Sequence, residues 1–254
     1  MIVVGADPEL FLQTLEGKLR SSVGLIGGTK TSPRPISEDG HAVQEDNVSV
    51  EFNIPPSDSA EKFVHNINHV LAYLKGYAAE KGLVFSKLPA ASFPEEELMT
   101  MEAQVFGCEP DFNAYTLEAN PRPFCADLNL RSCGGHVHVA TDLDKAAVVK
   151  AMDIFLGVPS VFLDSGDASR QRRMLYGKAG AHRPKAYGVE YRTLSNFWIW
   201  DSELIRWVYG QTEKALDFVK TNRGFTMDDV VQQAINGSDK HAAQQVLDAY
   251  GVAL

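Results

Sequence analysis

The chain has 254 residues, of which 44% are hydrophobic and 22% are charged, and its formal net charge is −9. This is globular composition, and the negative balance argues against a broad nucleic-acid-binding surface. No run reaches the roughly 20 consecutive apolar residues that cross a bilayer. The N-terminus lacks the basic region of a signal peptide, so we expect a cytoplasmic protein with no membrane partner.

Cysteine usage agrees with that expectation. The three cysteines, Cys108, Cys125 and Cys133, form no CxxC pair of the kind that ligates zinc. We therefore expect free thiols in a reducing compartment.

The first strand signal contains an interruption. In "VVGADPELFL", Asp7, Pro8 and Glu9 stand between two apolar runs, which predict strands at 2–5 and 9–14. Residues two apart on a strand share a face, so Asp7 and Glu9 are expected to point the same way. A surface turn is the ordinary alternative for such a tripeptide.

The second strand signal, residues 48–54, alternates apolar residues with Ser49, Glu51 and Asn53. A helix is predicted from about Ser59 to Lys81, followed by a strand at 83–88. Residues 89–131 read as a long irregular region with a short helix at 95–102.

The later half repeats the alternating pattern twice. Residues 134–141 place His136 and His138 on one face, and residues 187–194 do the same for Glu190 and Arg192. Helical periodicity and capping residues predict further helices at about 143–156, 201–221, 227–236 and 239–250.

These strands alternate, whereas strands of a buried parallel sheet read as continuous apolar runs. The pattern therefore predicts an α+β fold in which one face of an antiparallel sheet packs on helices and the other is polar and open. We expect residues 1–254 to form one domain, with the C-terminal helices starting near residue 201.

The polar face carries an unusual residue set. It collects carboxylates and imidazoles, where an ordinary wet sheet face is rich in Thr, Lys, Ser and Gln. Crowded carboxylates require cations, and oxygen-rich sites with a histidine suit Mg²⁺ or Mn²⁺. Each motif alone has a simpler reading, such as a wet face or a structural ion pair; the metal hypothesis rests on their conjunction.

A basic segment, residues 169–188, precedes the last strand and contains no acidic residue. It is a candidate anion-binding segment, or alternatively a solvated, mobile loop. The stretch "GLIGGTKT" lacks the glycine that a phosphate-binding P-loop needs immediately before its lysine, because Thr29 stands there. We expect Gly27 and Gly28 to form a hairpin turn that leaves Lys30 able to reach a ligand.

The order of these motifs resembles the glutamine synthetase and glutamate–cysteine ligase superfamily, and within it the phage-encoded carboxylate–amine ligases. The segments that carry the resemblance are "GADPELFL", "EDNVSVEFNIPPS", "CGGHVHVAT" and "GVEYRTLSN", which together span roughly residues 1–200. The resemblance implies the curved antiparallel sheet of a glutamine synthetase-like catalytic domain.

The resemblance also implies residue roles. Glu9 and Glu51 would bind one Mg²⁺ with Glu45 as a third carboxylate, and Asp7, His136 and Glu190 would bind a second. His138 would lie near the ATP phosphates, and Arg192 would contact the transferred phosphoryl group or the substrate carboxylate. The remaining candidates come from the basic segment and the glycine turn: Arg173 and Lys178 for catalysis, and Arg170, Arg183 and Lys30 for the nucleotide. Asp7 is shorter than the family's glutamate, and Asp46 and Asn53 stay open as ligands.

The implied activity is ATP-dependent amide formation from a carboxylate and an amine through an acyl phosphate, with Mg²⁺ or Mn²⁺ as cofactor. The alternatives are a metal-dependent hydrolase that uses the His-x-His and carboxylate site, and a non-catalytic phage accessory protein with a degenerate ligase fold. The sequence leaves the two substrates, the general base and the oligomeric state open.

Overall fold

The structure is a computed structural model, and it describes residues 2–104, 111–121, 127–221 and 224–254. Cys133 is buried with a free thiol, as expected. The expectation for Cys108 and Cys125 lies outside the described residues.

Within the described ranges, the strands of the chain are short except for the first. Their bounds are β1 Val3–Thr14, β2 Leu19–Arg20, β3 Arg34–Pro35, β4 Ala42–Asp46, β5 Ser49–Asn53, β6 Leu83–Ser86, β7 Ala90–Ser92, β8 Phe112–Asn113, β9 Leu130–Ser132, β10 Gly135–Ala140, β11 Ala181–Lys185 and β12 Gly188–Tyr191.

The helices concentrate in the second half of the chain. Their bounds are α1 Ala60–Ala79, α2 Met101–Gln104, α3 Lys145–Met152, α4 Val158–Leu163, α5 Asp167–Leu175, α6 Ser202–Lys220, α7 Asp228–Gly237 and α8 Lys240–Tyr250. A π-helical turn, Asp153–Gly157, joins α3 to α4, and 3₁₀ turns occupy Glu95–Leu98 and Asn196–Trp200.

Most of the strands belong to one antiparallel sheet. Its order is β3-β4-β5-β1-β10-β12-β11-β8, and β2 and β6 pair with the C-terminal part of β1. Every pairing for which the register is known is antiparallel. The predicted α+β fold with a mainly antiparallel sheet is therefore confirmed.

The two apolar runs around Asp7-Pro8-Glu9 form a single continuous strand instead of two strands joined by a turn. β1 changes partners along its length: residues 3–8 pair with β10, Glu9 and Leu10 pair with β5, and residues 11–14 pair with β6. The acidic tripeptide lies where these partners change, which places it near the middle of the sheet.

One face of the sheet packs on the helices. The main hydrophobic core contains Val4, Ala6 and Leu10 of β1, together with Val137 and Val139 of β10, packed against residues of α1, α3 and α6. Alternation therefore directs Asp7, Glu9, His136 and His138 to the opposite face. A smaller cluster on that side includes Phe11, Phe93 and Cys133.

The helical stretch Lys145–Leu163 is long and apolar enough to cross a membrane by length and composition, with a mean hydropathy of 1.8. However, 67% of that stretch is buried inside the fold, as expected for a core helix.

Candidate active site

The strand register brings the acidic and histidine motifs together on one face. Asp7 pairs with His136, His138 pairs with Glu190, and Glu9 pairs with Glu51. These pairings are non-local, since they join residues up to 129 positions apart. The face that the sequence predicted in pieces is thus one continuous polar surface.

Two groups of potential metal ligands lie on this face. The first is Asp7, His136 and Glu190, and the second is Glu9, Asp46 and Glu51. Within each group the ligand atoms all lie within 4.8 Å of one another. All of these residues are buried except Asp7, which is partly buried.

The first group is already linked to cationic side chains. His138 Nε2 lies 2.9 Å from Asp7 Oδ1, and His136 Nδ1 lies 3.4 Å from the same oxygen. Burial alone would raise the pKa of Asp7, but the two imidazoles outweigh it and hold that pKa well below its usual value. Burial would likewise lower the pKa of His138, yet Asp7 raises it overall.

Glu190 is surrounded by positive charge. Lys185 Nζ lies 2.8 Å from Glu190 Oε2, Arg183 Nη1 lies 3.5 Å from Oε1, and Arg192 donates to Oε1. Burial and Asp7 raise the pKa of Glu190, but Arg192, His136 and Lys185 dominate and lower it to about 2. Glu190 is therefore ionised at neutral pH, as a metal-ligating carboxylate must be.

The second group has far less compensation. Its ion pair in the described part of the chain joins Lys30 Nζ to Asp46 Oδ2 at 2.9 Å. Burial, followed by the charges of Asp7, Glu9 and Asp46, raises the pKa of Glu51 well above its usual value. Three converging carboxylates with excess negative charge suit a hard divalent cation with oxygen ligands. The residues present thus fit Mg²⁺ or Mn²⁺.

A cleft of about 660 Å³ of empty volume opens beside the second group. Glu9, Asp46, His136 and Arg192 reach it from the sheet, and other parts of the wall are apolar. The additional residues that line it are Phe11, Asn47, Val48, Ser49, Asp111, Leu130, Arg131, Ser132, Gly134, Arg172, Leu175, Tyr176 and Gly177.

Residues 125–250 match the model of a protein family described as "Phage phiEco32-like COOH.NH2 ligase-type 2". This match, which covers just under half of the chain, supports a ligase of the carboxylate–amine group. The matched segment contains His136, Glu190 and Arg192, whereas the carboxylates of the second group lie outside it. A solved structure titled "Apo GmaS without ligand" is similar over 100% of this chain and 70% of that chain, at 12% identity and a TM-score of 0.43. No curated protein matches the chain.

Glu45 is not where the expected third carboxylate should be. It lies on the face of β4 opposite to Asp46, and its carboxylate accepts hydrogen bonds from the backbone amides of Gly24, Ile26 and Gly27 at 2.7–3.0 Å. The structure therefore corrects the expectation: Asp46 joins Glu9 and Glu51, and Glu45 anchors the glycine turn.

The basic segment forms regular secondary structure over much of its length and is not one long loop. Residues 167–175 form α5 and residues 181–185 form β11. Of its candidates, Arg183 reaches the site through Glu190. Lys30, from the glycine turn, pairs with Asp46.

Two of the basic candidates, Arg173 and Arg170, have partners away from the metal-ligand groups. Arg173 is buried, and its guanidinium donates to Asp164 and Ser160. Arg170 is exposed and pairs with Asp167 on its own helix, and Lys178 is exposed. The structure therefore corrects the expectation for Arg173 and Arg170, and the catalytic role of Lys178 stays a prediction.

The residue that the sequence reasoning missed is Arg172. It is 2% exposed, lines the cleft, and donates from Nη1 to Thr193 O at 2.9 Å and from Nη2 to Arg192 O at 3.3 Å. Burial lowers its pKa to about 10, against the opposing effect of Glu9. Arg172 and Arg173 are adjacent in a basic run, so the sequence alone does not distinguish them. They differ in the direction in which each side chain leaves helix α5.

Proposed function

We propose that this chain is an ATP-dependent ligase that joins a carboxylate to an amine, with Mg²⁺ or Mn²⁺ as its cofactor. The observation that carries the proposal is the pair of metal-ligand groups on one sheet face, which stands beside a cleft lined by Arg172 and Arg192. The family match supports the formation of a bond between a carboxylate and an amine. The acidic groups, the basic cluster around Glu190 and the chemistry of amide formation support the use of ATP.

A carboxylate is a poor electrophile, so it must be activated before an amine can attack it. In the proposed reaction a carboxylate oxygen attacks the γ-phosphorus of ATP and ADP leaves, which gives an acyl phosphate. The amine nitrogen then attacks the acyl carbon, phosphate leaves, and loss of a proton gives the amide. The first step moves a phosphoryl group between two anions, and its principal requirement is neutralisation of charge.

The residues divide into two functions. Glu9, Asp46 and Glu51 would hold one divalent cation, and Asp7, His136 and Glu190 would hold a second. Bound cations of this kind supply positive charge to phosphate oxygens. His138, Arg183 and Lys185 would contribute further positive charge on the nucleotide side of the face.

Arg192 connects the metal-ligand group of His136 and Glu190 to the cleft. Its Nη1 contacts both Glu190 and His136, the latter at 3.3 Å, and its Nε lies 3.6 Å from Asp111. Because Arg192 also lines the cleft, we propose that it orients the acceptor carboxylate or the transferring phosphoryl group. We further propose that residues 1–254 act as one catalytic unit in the cytoplasm.

The test follows an oxygen atom. The purified protein is incubated with ATP, Mg²⁺ and a panel of ¹⁸O-labelled carboxylates and amines, and the released phosphate and the products are analysed by mass spectrometry. An acyl phosphate transfers one labelled oxygen to the released phosphate and leaves an amide. Released phosphate without ¹⁸O, with no amide formed under any substrate pair, would overturn the proposal. The Glu9→Gln variant provides the background rate.

A further inference from the structure

Three histidines meet on the opposite side of the sheet from the proposed active site. His65 and His69 lie one turn apart on α1, and His41 immediately precedes β4. The rings of His41 and His69 have centroids 4.7 Å apart, and those of His65 and His69 have centroids 6.2 Å apart. His41 shares its strand face with Val43 of the main core, whereas Gln44 and Asp46 point to the active-site side.

The His41 ring is held in one orientation. Its Nδ1 lies 2.9 Å from Ser37 Oγ, and the residue is only 4% exposed. With Nδ1–H donating to Ser37, the lone pair is on Nε2, and a partner that fixes one ring nitrogen in this way is typical of ligating histidines. Nε2 is buried and has no hydrogen-bond partner in the described part of the chain.

Asn66 is the polar neighbour of this ring on α1. Its side chain hydrogen-bonds to the His41 ring and raises the pKa of His41, while its nitrogen donates to Pro55 O at 3.3 Å and to Ser57 Oγ at 3.0 Å. Because both protons of the amide nitrogen have acceptors, Asn66 donates no proton to a lone pair on His41 Nε2, which leaves that lone pair open to a cation.

His41 is also kept in the form that binds cations. Burial and then the neighbouring His69 lower its pKa, the hydrogen bond with Asn66 and the charge of Asp39 oppose this, and His65 adds a smaller lowering effect. A neutral imidazole is the form that ligates a metal.

We propose that His41, His65 and His69 form a second cation site, which binds a borderline transition metal such as Zn²⁺, Ni²⁺ or Cu²⁺. Imidazole nitrogens select these ions, whereas carboxylates select Mg²⁺ and Mn²⁺. Two rings on one tetrahedral Zn²⁺, with bonds of about 2.0–2.1 Å, have centroids roughly 5 Å apart, close to the 4.7 Å observed for one pair. The His65 ring, 6.2 Å from that of His69, would have to rotate toward the ion to become the third ligand. Water or the exposed Asp39 would complete the coordination.

Such a site would connect two parts of the fold that contribute differently to the active site. α1 is a core helix, and the β3–β4 hairpin carries Asp46 of the second carboxylate group. A cation held by His41 and His69 would stabilise the hairpin against the helix. The inference does not depend on the ligase chemistry, because none of the three histidines lies on the active-site face.

The experiment is a Zn²⁺ titration by calorimetry in excess Mg²⁺, repeated with Co²⁺ to record its absorption spectrum. In the His65→Ala/His69→Ala variant, which changes two exposed side chains, the number of bound Zn²⁺ ions should fall by one, or the affinity of one ion by at least tenfold. His241→Ala, which removes an exposed histidine from α8, should bind like the wild type. Circular dichroism checks that each variant is folded.

Unchanged stoichiometry and affinity in the double variant would overturn the proposal. Loss of all Zn²⁺ binding in Asp7→Asn, with the histidine variants unaffected, would overturn it equally, because the ion would then belong to the carboxylate face. Single His69→Gln should reproduce the loss, which keeps the test valid if the double variant is unstable.

Discussion

Glu9 and Glu51 lie directly opposite each other on β1 and β5, and each side chain is 8% exposed. Like charges in a direct cross-strand pair are destabilising, and here both are removed from water. The carboxylate of Glu9 accepts a 2.6 Å hydrogen bond from the Gly134 amide, which fixes its direction. An arrangement this costly is consistent with a cation between the strands.

The first prediction follows from that pair. Glu9→Gln should remove Mg²⁺-dependent ATP turnover and weaken Mn²⁺ binding by at least tenfold, while the thermal unfolding temperature stays the same or rises because a buried like charge is gone. Isothermal calorimetry with Mn²⁺ and a phosphate-release assay measure the two effects.

Glu45→Gln is the matched control for this experiment. Glu45 is only six residues from Glu51 in the sequence, but its carboxylate points to the amides of the glycine turn. Its substitution should reduce stability and leave Mn²⁺ affinity within about twofold. If Glu9→Gln retained full turnover, Glu9 would not be a metal ligand.

The contrast between Glu45 and Asp46 shows where sequence reasoning ends. Alternation within one strand predicted the common face of His136 and His138, and of Glu190 and Arg192. Whether Glu45 or Asp46 shares the face of Glu51 depends on the β4–β5 register, in which Gln44 opposes Glu51 and Asp46 opposes Ser49. That register comes from a tight hairpin turn with Asn47 at φ 56°, which periodicity alone does not reveal.

Helices were predicted more closely than the long connecting segments. The helix predicted from about Ser59 to Lys81 is α1, Ala60–Ala79, and the one predicted at about 201–221 is α6, Ser202–Lys220. The helix predicted to end near residue 156 instead continues through a π-helical turn into α4. Its apolar pattern persists there, but Pro159 masked the continuation, because proline at the start of a helix reads the same as proline after its end.

The second prediction concerns Arg192. Its guanidinium contacts Glu190 and His136 through Nη1 and Asp111 through Nε. Arg192→Lys keeps the charge but provides a single nitrogen, so it cannot hold these partners together. We expect turnover to fall at least 100-fold with the fold intact. Arg170→Lys, at an exposed arginine paired with Asp167, is the control and should stay within about twofold. Steady-state kinetics of both variants measure the effect. Equal activity of Arg192→Lys and the wild type would contradict the prediction.

A third prediction uses the glycine that allows Arg172 to line the cleft. Gly177 has a φ of +69°, and a Cβ there would lie 1.9 Å from Arg172 Nη1 and 2.6 Å from Thr193 O. Gly177→Ala should therefore displace the Arg172 side chain from its bonds to Thr193 and Arg192, and weaken binding of the carboxylate substrate.

Gly82→Ala separates the steric effect from the backbone effect. Gly82 has the same φ of +69°, but a Cβ there would meet nothing within 4 Å. Both variants carry the left-handed backbone cost of about 1–2 kcal/mol, and Gly177→Ala should be more destabilised than this in urea unfolding. Equal losses of stability and unchanged substrate KM in both variants would show that the contact with Arg172 does not matter.

The last prediction concerns Asp153, which is fully buried and has no cationic partner among the ion pairs of the described residues. It accepts hydrogen bonds from the hydroxyls of Tyr191, Tyr115 and Thr193 and from the Gly180 amide, at 2.6–3.1 Å. These bonds tie the π-helical turn to β12 and to the loop before β11. Burial nevertheless raises the pKa of Asp153 to about 7.

The sign of the pH effect follows from that value. An unfolded aspartate ionises near pH 4, so between about pH 4 and pH 7 the folded chain binds a proton at Asp153 that the unfolded chain has lost. Stability therefore falls as pH rises through this window and levels off above pH 7, by a total on the order of 4 kcal/mol. Asp153→Asn cannot titrate, so its free energy of unfolding should lack this decline, although the loss of an acceptor lowers its stability at pH 4.

Urea unfolding of the wild type and of Asp153→Asn at half-unit steps from pH 4.5 to 8 measures the difference directly. The wild-type minus variant free energy should decrease steadily up to about pH 7 and then stay constant. Asp167→Asn, which removes an exposed carboxylate from α5, should follow the wild-type slope. A wild-type minus Asp153→Asn difference that stays flat or grows with pH would mean that Asp153 is ionised in the folded chain throughout, with its four donors outweighing the cost of burial.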